Sequence, residues 1–179
     1  MLDLTVFCAR GNHRSHIATP WSAGEWTYAC DGWLILRVPR RADVPERSDA
    51  PLIERFFADV GAREWRPFPK VALPQPKVRR CEDCKGNGVE HECPECSCEC
   101  WHCNGSGQFH QQIVVRCGSY ELNANRWRYL ALLPGLRLAT AANKNRHVPF
   151  EFDGGIGLVM AMRGHDEDAA IVDAPLVGC

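Results

Sequence analysis

Apolar positions recur along this chain in two rhythms. Between 27 and 39, TYACDGWLILRVP, apolar runs flank Asp31-Gly32 and predict two strands joined by a tight turn. Residues 49–61, DAPLIERFFADVG, shift to a helical period. Leu52, Ile53, Phe56, Phe57 and Val60 fall on one face; Ser48 or Asp49 suits the cap, Pro51 the first turn and Gly61 the end. The prolines of 67–80 predict an extended stretch. QQIVVRCGSYELN reads as a hairpin turning at Gly118-Ser119, and a short helix follows over 124–133, stopped by Pro134-Gly135. LRLAT predicts one more strand, and VPFEFDGGIGLVMAMR a closing hairpin around Asp153-Gly154-Gly155. After Gly164 the chain is acidic, and its end is expected to fray.

Strands joined mainly by hairpins, with two helices between them, predict an α+β domain: an antiparallel sheet with both helices on one face. This body is discontinuous, 1–80 and 108–165, interrupted by a cysteine-rich insertion over 81–107 and followed by an acidic tail, 166–179. A chain of 179 residues, 45% hydrophobic and 24% charged, suits one globular domain with a small insertion and can fold without cross-links. No apolar run approaches the roughly 20 residues needed to span a bilayer. The opening MLDLTVFCARGNHR lacks a basic leader, so a cytoplasmic location is expected.

Charge changes this picture. The formal net charge is −1, yet the segments differ sharply: the insertion holds one basic and six acidic side chains, and 164–179 holds four acids and no base. The body therefore carries an excess of about eight positive charges, enough to meet phosphates or simply to be a solvated arginine-rich surface.

Seven of the eleven cysteines lie between Cys81 and Cys103, in CEDCKGNGVEHECPECSCECWHC. Clustered C-x-x-C pairs in a reducing compartment point to zinc in preference to disulfides. Two intervening residues form a tight turn that aims both sulfurs at one ion, and a tetrahedral site takes two such turns. Cys81/Cys84 and Cys100/Cys103 are each followed by paired glycines, which suggests matched turns clamping one ion. Cys81, Cys84, Cys100 and Cys103 are therefore the first-choice zinc ligands. His91, Cys93, Cys96 and Cys98 form H-x-C-x-x-C-x-C, a candidate second zinc site; the alternatives are another ligand choice within one site, or unligated thiols at a hairpin tip. His102 is expected to face solvent. A redox role for the pairs is the third reading, although a dithiol catalyst usually presents a single pair at a helix N-terminus.

The repeat C-x-x-C-x-G-x-G at 81–88 and 100–107 resembles the cysteine-rich region of DnaJ-type cochaperones. That family carries four such repeats, and its outer two share one zinc. Here the middle contracts to CPECSC, and the chain has no His-Pro-Asp tripeptide or Gly/Phe-rich linker. The resemblance implies a borrowed zinc module. It also implies an alternative function: gripping unfolded or partner polypeptides.

The body resembles a domain of bacterial DNA polymerase sliding clamps. The residues that carry this are Asn125-Arg-Trp-Arg-Tyr129-Leu130, the strand LRLAT, the closing Leu158-Val-Met-Ala-Met-Arg163 and the hairpin Tyr28-Ala-Cys-Asp-Gly32. The resemblance implies an internally duplicated clamp-like fold, and DNA or a DNA-replication or repair protein as partner. Arg55 is then expected to face DNA with one of Arg126 and Arg128, which point in different directions on one helix. A closed ring would need a homo-oligomer. Ala161 stands where the family has proline, and the chain continues past Arg163.

No catalytic motif emerges: no G-x-S-x-G, Walker loop, H-E-x-x-H or dinucleotide fingerprint. The expected function is thus non-enzymatic. His13 and His16 in RGNHRSH read as a solvated loop. Trp101, between two ligand candidates, reads as an exposed contact residue, whereas most of the six tryptophans are expected in the core.

Overall fold

A computed structural model describes residues 2–10, 12–47, 53–60, 64–89, 98–143 and 146–176. Its main sheet contains seven strands, all antiparallel: β1 (Trp21–Ala23), β2 (Trp26–Cys30), β3 (Leu34–Pro39), β4 (Trp65–Pro67), β9 (Arg137–Ala139), β10 (His147–Phe152) and β11 (Gly155–Met160). Their order across the sheet is β1-β2-β3-β11-β10-β9-β4. A second sheet joins β7 (Ile113–Cys117) to β8 (Tyr120–Asn123) antiparallel and to β12 (Ala170–Asp173) in parallel. A two-stranded ribbon, β5 (Val78–Arg80) with β6 (Gln108–His110), carries the cysteine-rich insertion.

The predicted hairpins form for local reasons. At Asp31 the carboxylate Oδ1 accepts from the N–H groups of both Trp33 and Leu34, at 2.7 Å each, and Gly32 takes φ +90. This is an Asx turn closing the β2–β3 hairpin. The Asp153-Gly154 pair closes β10 onto β11 with Gly154 at φ +91. Helix α2 (Ala124–Leu130) starts where the Asn123 side chain accepts from the Asn125 N–H at 2.9 Å.

The structure corrects the expected layering. Alternate residues of the central strands feed two separate cores. On one side Ala29, Leu34, Leu36, Val148, Phe150 and Val159 pack with α2 and the second sheet. On the other, Trp21, Tyr28, Ile35 and Leu158 pack with α1 (Glu54–Phe57). The two helices thus lie on opposite faces, not one. The runs LIL of β3 and LV of β11 are apolar at consecutive positions because those strands are buried on both sides. In the described residues α1 is short and continues as a 3-10 turn, Ala58–Val60. The caps expected at Ser48, Asp49 and Pro51, and the stop at Gly61, lie outside the described residues.

Neighbouring contacts fix the layers. Trp21 and Tyr28 face each other across β1–β2 with ring centroids 5.7 Å apart. Beneath them the buried Ser22 and Thr27 hydroxyls share a hydrogen bond of 2.7 Å. The Tyr120 hydroxyl donates to the Ala139 carbonyl at 3.0 Å and ties the second sheet to the first.

Within the segment 166–179, the described residues 166–176 depart from the reading as an acidic tail. Its Ala170–Asp173 forms β12, whose polar flank Asp166-Glu167-Asp168 hid a short strand, and Ala174 is fully buried in the larger core. Ala174→Asp is therefore expected to lower unfolding stability by about 2–4 kcal/mol, because a carboxylate enters an apolar site. Urea denaturation checks this; an unchanged midpoint would show that the segment is not docked.

Candidate metal centre

Two turns of identical construction form the insertion. The Gly86 N–H donates to the Cys81 carbonyl at 3.1 Å, and the Gly105 N–H to Cys100 at 3.0 Å. The Asn87 N–H reaches Cys84 at 3.0 Å, as Ser106 reaches Cys103 at 3.1 Å. The turns then dock on each other reciprocally: Cys81 N–H to Gly107 carbonyl at 2.9 Å, Cys100 N–H to Gly88 carbonyl at 2.8 Å. Backbone angles repeat too, with Lys85 and Asn104 at φ 50 and 49, and Gly88 and Gly107 at φ 77 and 71. The insertion's described residues form a pseudo-twofold pair of knuckles.

Glycine is required at the docking points. A Cβ on Gly88 would collide with the Gly105 carbonyl, and one on Gly107 with the Gly86 carbonyl. Each of these glycines also aims its N–H at a sulfur: Gly88 at Cys84 Sγ, 3.3 Å, and Gly107 at Cys103 Sγ, 3.2 Å. Such donors favour thiolate over thiol.

The symmetry brings Cys81, Cys84, Cys100 and Cys103 together, all buried, with sulfurs within 4.8 Å of one another. Cys81 and Cys100 sulfurs are 3.9 Å apart, Cys84 and Cys103 3.7 Å. A tetrahedron with metal–sulfur bonds near 2.3 Å has edges of about 3.8 Å, so the donor set fits a four-coordinate ion. Burial alone would raise the Cys84 pKa, but the Gly88 N–H and the adjacent thiols outweigh it and bring it down to about 6. The Cys84 N–H acts to lower Cys81, whereas burial and its three sulfur neighbours push it up to about 11. Four thiols this close cannot all ionise without a cation between them. The group can hold a metal ion.

The surroundings anchor these knuckles. Phe109 packs against the four cysteines. Arg80 Nε donates to the Lys85 carbonyl at 2.5 Å. Arg80 and Gln108 pair across β5–β6, so the insertion's ends lie side by side. Arg79 forms an ion pair with Asp168 at 2.9 Å, linking the ribbon to the 164–176 segment. His102 is exposed, as expected, and its Nε2 lies 3.2 Å from Asp83 Oδ2, joining one knuckle to the other. Trp101 is 68% exposed and its ring lies against that of His102.

Of the second candidate site, Cys98 is exposed, and His91, Cys93 and Cys96 lie outside the described residues. The expected arginine face does not assemble. Arg55 lies over the Phe56 ring on α1, whereas Arg126 and Arg128 stand on α2 across the sheet. Arg126 pairs with Asp31 at 3.5 Å, and Arg128 donates to Asn125. His16 is exposed, and the His13 side chain lies outside the described residues. No helix among the described residues is long and apolar enough to cross a membrane. No family model, curated protein or solved structure matches the chain.

Gly107→Ala is expected to weaken metal retention at least about tenfold, through the collision with Gly86 and the left-handed backbone it strains. Gly118→Ala has the same kind of positive φ but open space around its Cβ, and is expected to retain the metal. Competition with a chelator measures both; equal retention would contradict the assigned role of Gly107.

Proposed function

We propose that the chain is a non-enzymatic binding protein whose cysteine insertion is held by one structural Zn2+. The observation that carries this is the sulfur quartet, with edges of 3.7 and 3.9 Å around a single point. Zinc suits it because four thiolates in tetrahedral array are its preferred structural shell, and a filled shell leaves no position for a catalytic water. Convergence of both pairs on one centre also favours a metal over a working dithiol.

For the partner, we propose DNA or a protein assembled on DNA. The support is the positive excess of the body, which the acidic insertion and C-terminal segment conceal in the net charge of −1. A sliding-clamp-like character of the body belongs to this proposal and would supply the same class of partner. The exposed Trp101 and Val78 on the arm favour a second reading, a DnaJ-like grip on unfolded polypeptide. Under that reading the full chain suppresses aggregation of a denatured client, and Trp101→Ala loses the effect.

Metal analysis of the purified chain is expected to give zinc bound at the quartet, and Cys103→Ser is expected to lose that zinc while the body keeps its far-ultraviolet circular dichroism. Duplex DNA binding is expected to weaken steadily as salt rises, since each phosphate contact releases counterions. Chain without zinc would overturn the metal reading. Absent or salt-independent binding would overturn the DNA reading.

A further inference from the structure

A cavity of about 690 Å³ opens at the end of the main sheet, lined by no residue of the cysteine arm. A second, of about 320 Å³, shares Arg14, Trp33 and Arg126 with it. Each is of a size typical for ligand sites. Their lining is chemically uneven. Arg10, Arg14, Arg126 and Arg163 contribute positive charge, and Asp31 is the one carboxylate among the described lining residues.

That carboxylate is already engaged. Its Oδ1 accepts two backbone N–H groups of the turn, and its Oδ2 faces Arg126. Arg14 is held in place as well, donating to the Asp31 carbonyl at 2.8 Å. Gly32 makes this possible, because a Cβ there would collide with the Arg14 guanidinium. Arg10 and Arg163 are exposed and make no ion pair among the described residues. Anchored guanidinium groups, and two without an ion pair among the described residues, therefore border these adjoining cavities.

An aromatic platform completes it. Trp33 is 47% exposed on the tip of the β2–β3 turn, with the Arg126 guanidinium 5.4 Å from its ring centroid. Met160 beside it is 37% exposed. A flat ring beside several guanidinium groups matches a flat base linked to phosphates. A phosphopeptide would use the arginines but leave the indole idle. Paired bases inside a duplex cannot reach it.

We propose that this cleft binds single-stranded nucleic acid, with one base stacked on Trp33 and the neighbouring phosphates on Arg10, Arg14 and Arg163. The inference rests on the nucleic-acid reading of the chain and names the place and strand state.

The test titrates the full chain with a labelled short oligothymidylate and, separately, with a blunt duplex, following fluorescence polarisation. Trp33→Ala is expected to weaken oligothymidylate binding about tenfold or more, and Trp33→Phe to retain most of it. Arg10→Glu with Arg163→Glu is expected to weaken it further and flatten its salt dependence. Circular dichroism is the control that these surface variants stay folded. Unchanged oligothymidylate affinity in both Trp33→Ala and the double variant, with duplex binding intact, would overturn the cleft and leave the wider reading standing. Binding of neither probe at low salt would overturn both.

Discussion

Four sulfurs within 4.8 Å of one another form a constraint that the surrounding chain must answer. Thiolates at that spacing repel, and thiols give up the donors that the turns aim at them. A divalent cation resolves the conflict by making all four anionic forms favourable together. The two knuckles, the reciprocal backbone hydrogen bonds and the left-handed glycines serve that one geometry.

The rest of the molecule has hydrophobic cores of its own, separate from the cysteine cluster. Its seven-stranded sheet is covered on both faces, by α1 on one and by α2 with the second sheet on the other. The arm meets this scaffold through the β5–β6 ribbon, and Gln111 steadies the junction by donating to the Asp168 carbonyl at 2.6 Å. The acidic flank that neutralises the basic body in the net charge is thus also a brace for the arm.

What could be read from the sequence was local. The C-x-x-C-x-G-x-G turns depend on residues within eight positions, and the hairpins at Asp31-Gly32 and Gly118-Ser119 on single turn pairs, so their chemistry was legible. Layering was not. Consecutive apolar residues in β3 and β11 serve opposite faces, and only the folded sheet separates Leu34 from Ile35. Strand β12 was hidden by the charges preceding it, and β1 by its three-residue length. The Trp33 cleft draws Arg10, Arg14, Arg126 and Arg163 from distant parts of the chain, so no spacing could have announced it.

X-ray absorption at the zinc edge of the intact, unreconstituted chain probes the central claim most directly. The account predicts a first shell of four sulfurs at about 2.3 Å and no oxygen or nitrogen ligand. A shell with fewer sulfurs, or protein whose Cys81, Cys84, Cys100 and Cys103 are paired as disulfides, would contradict it.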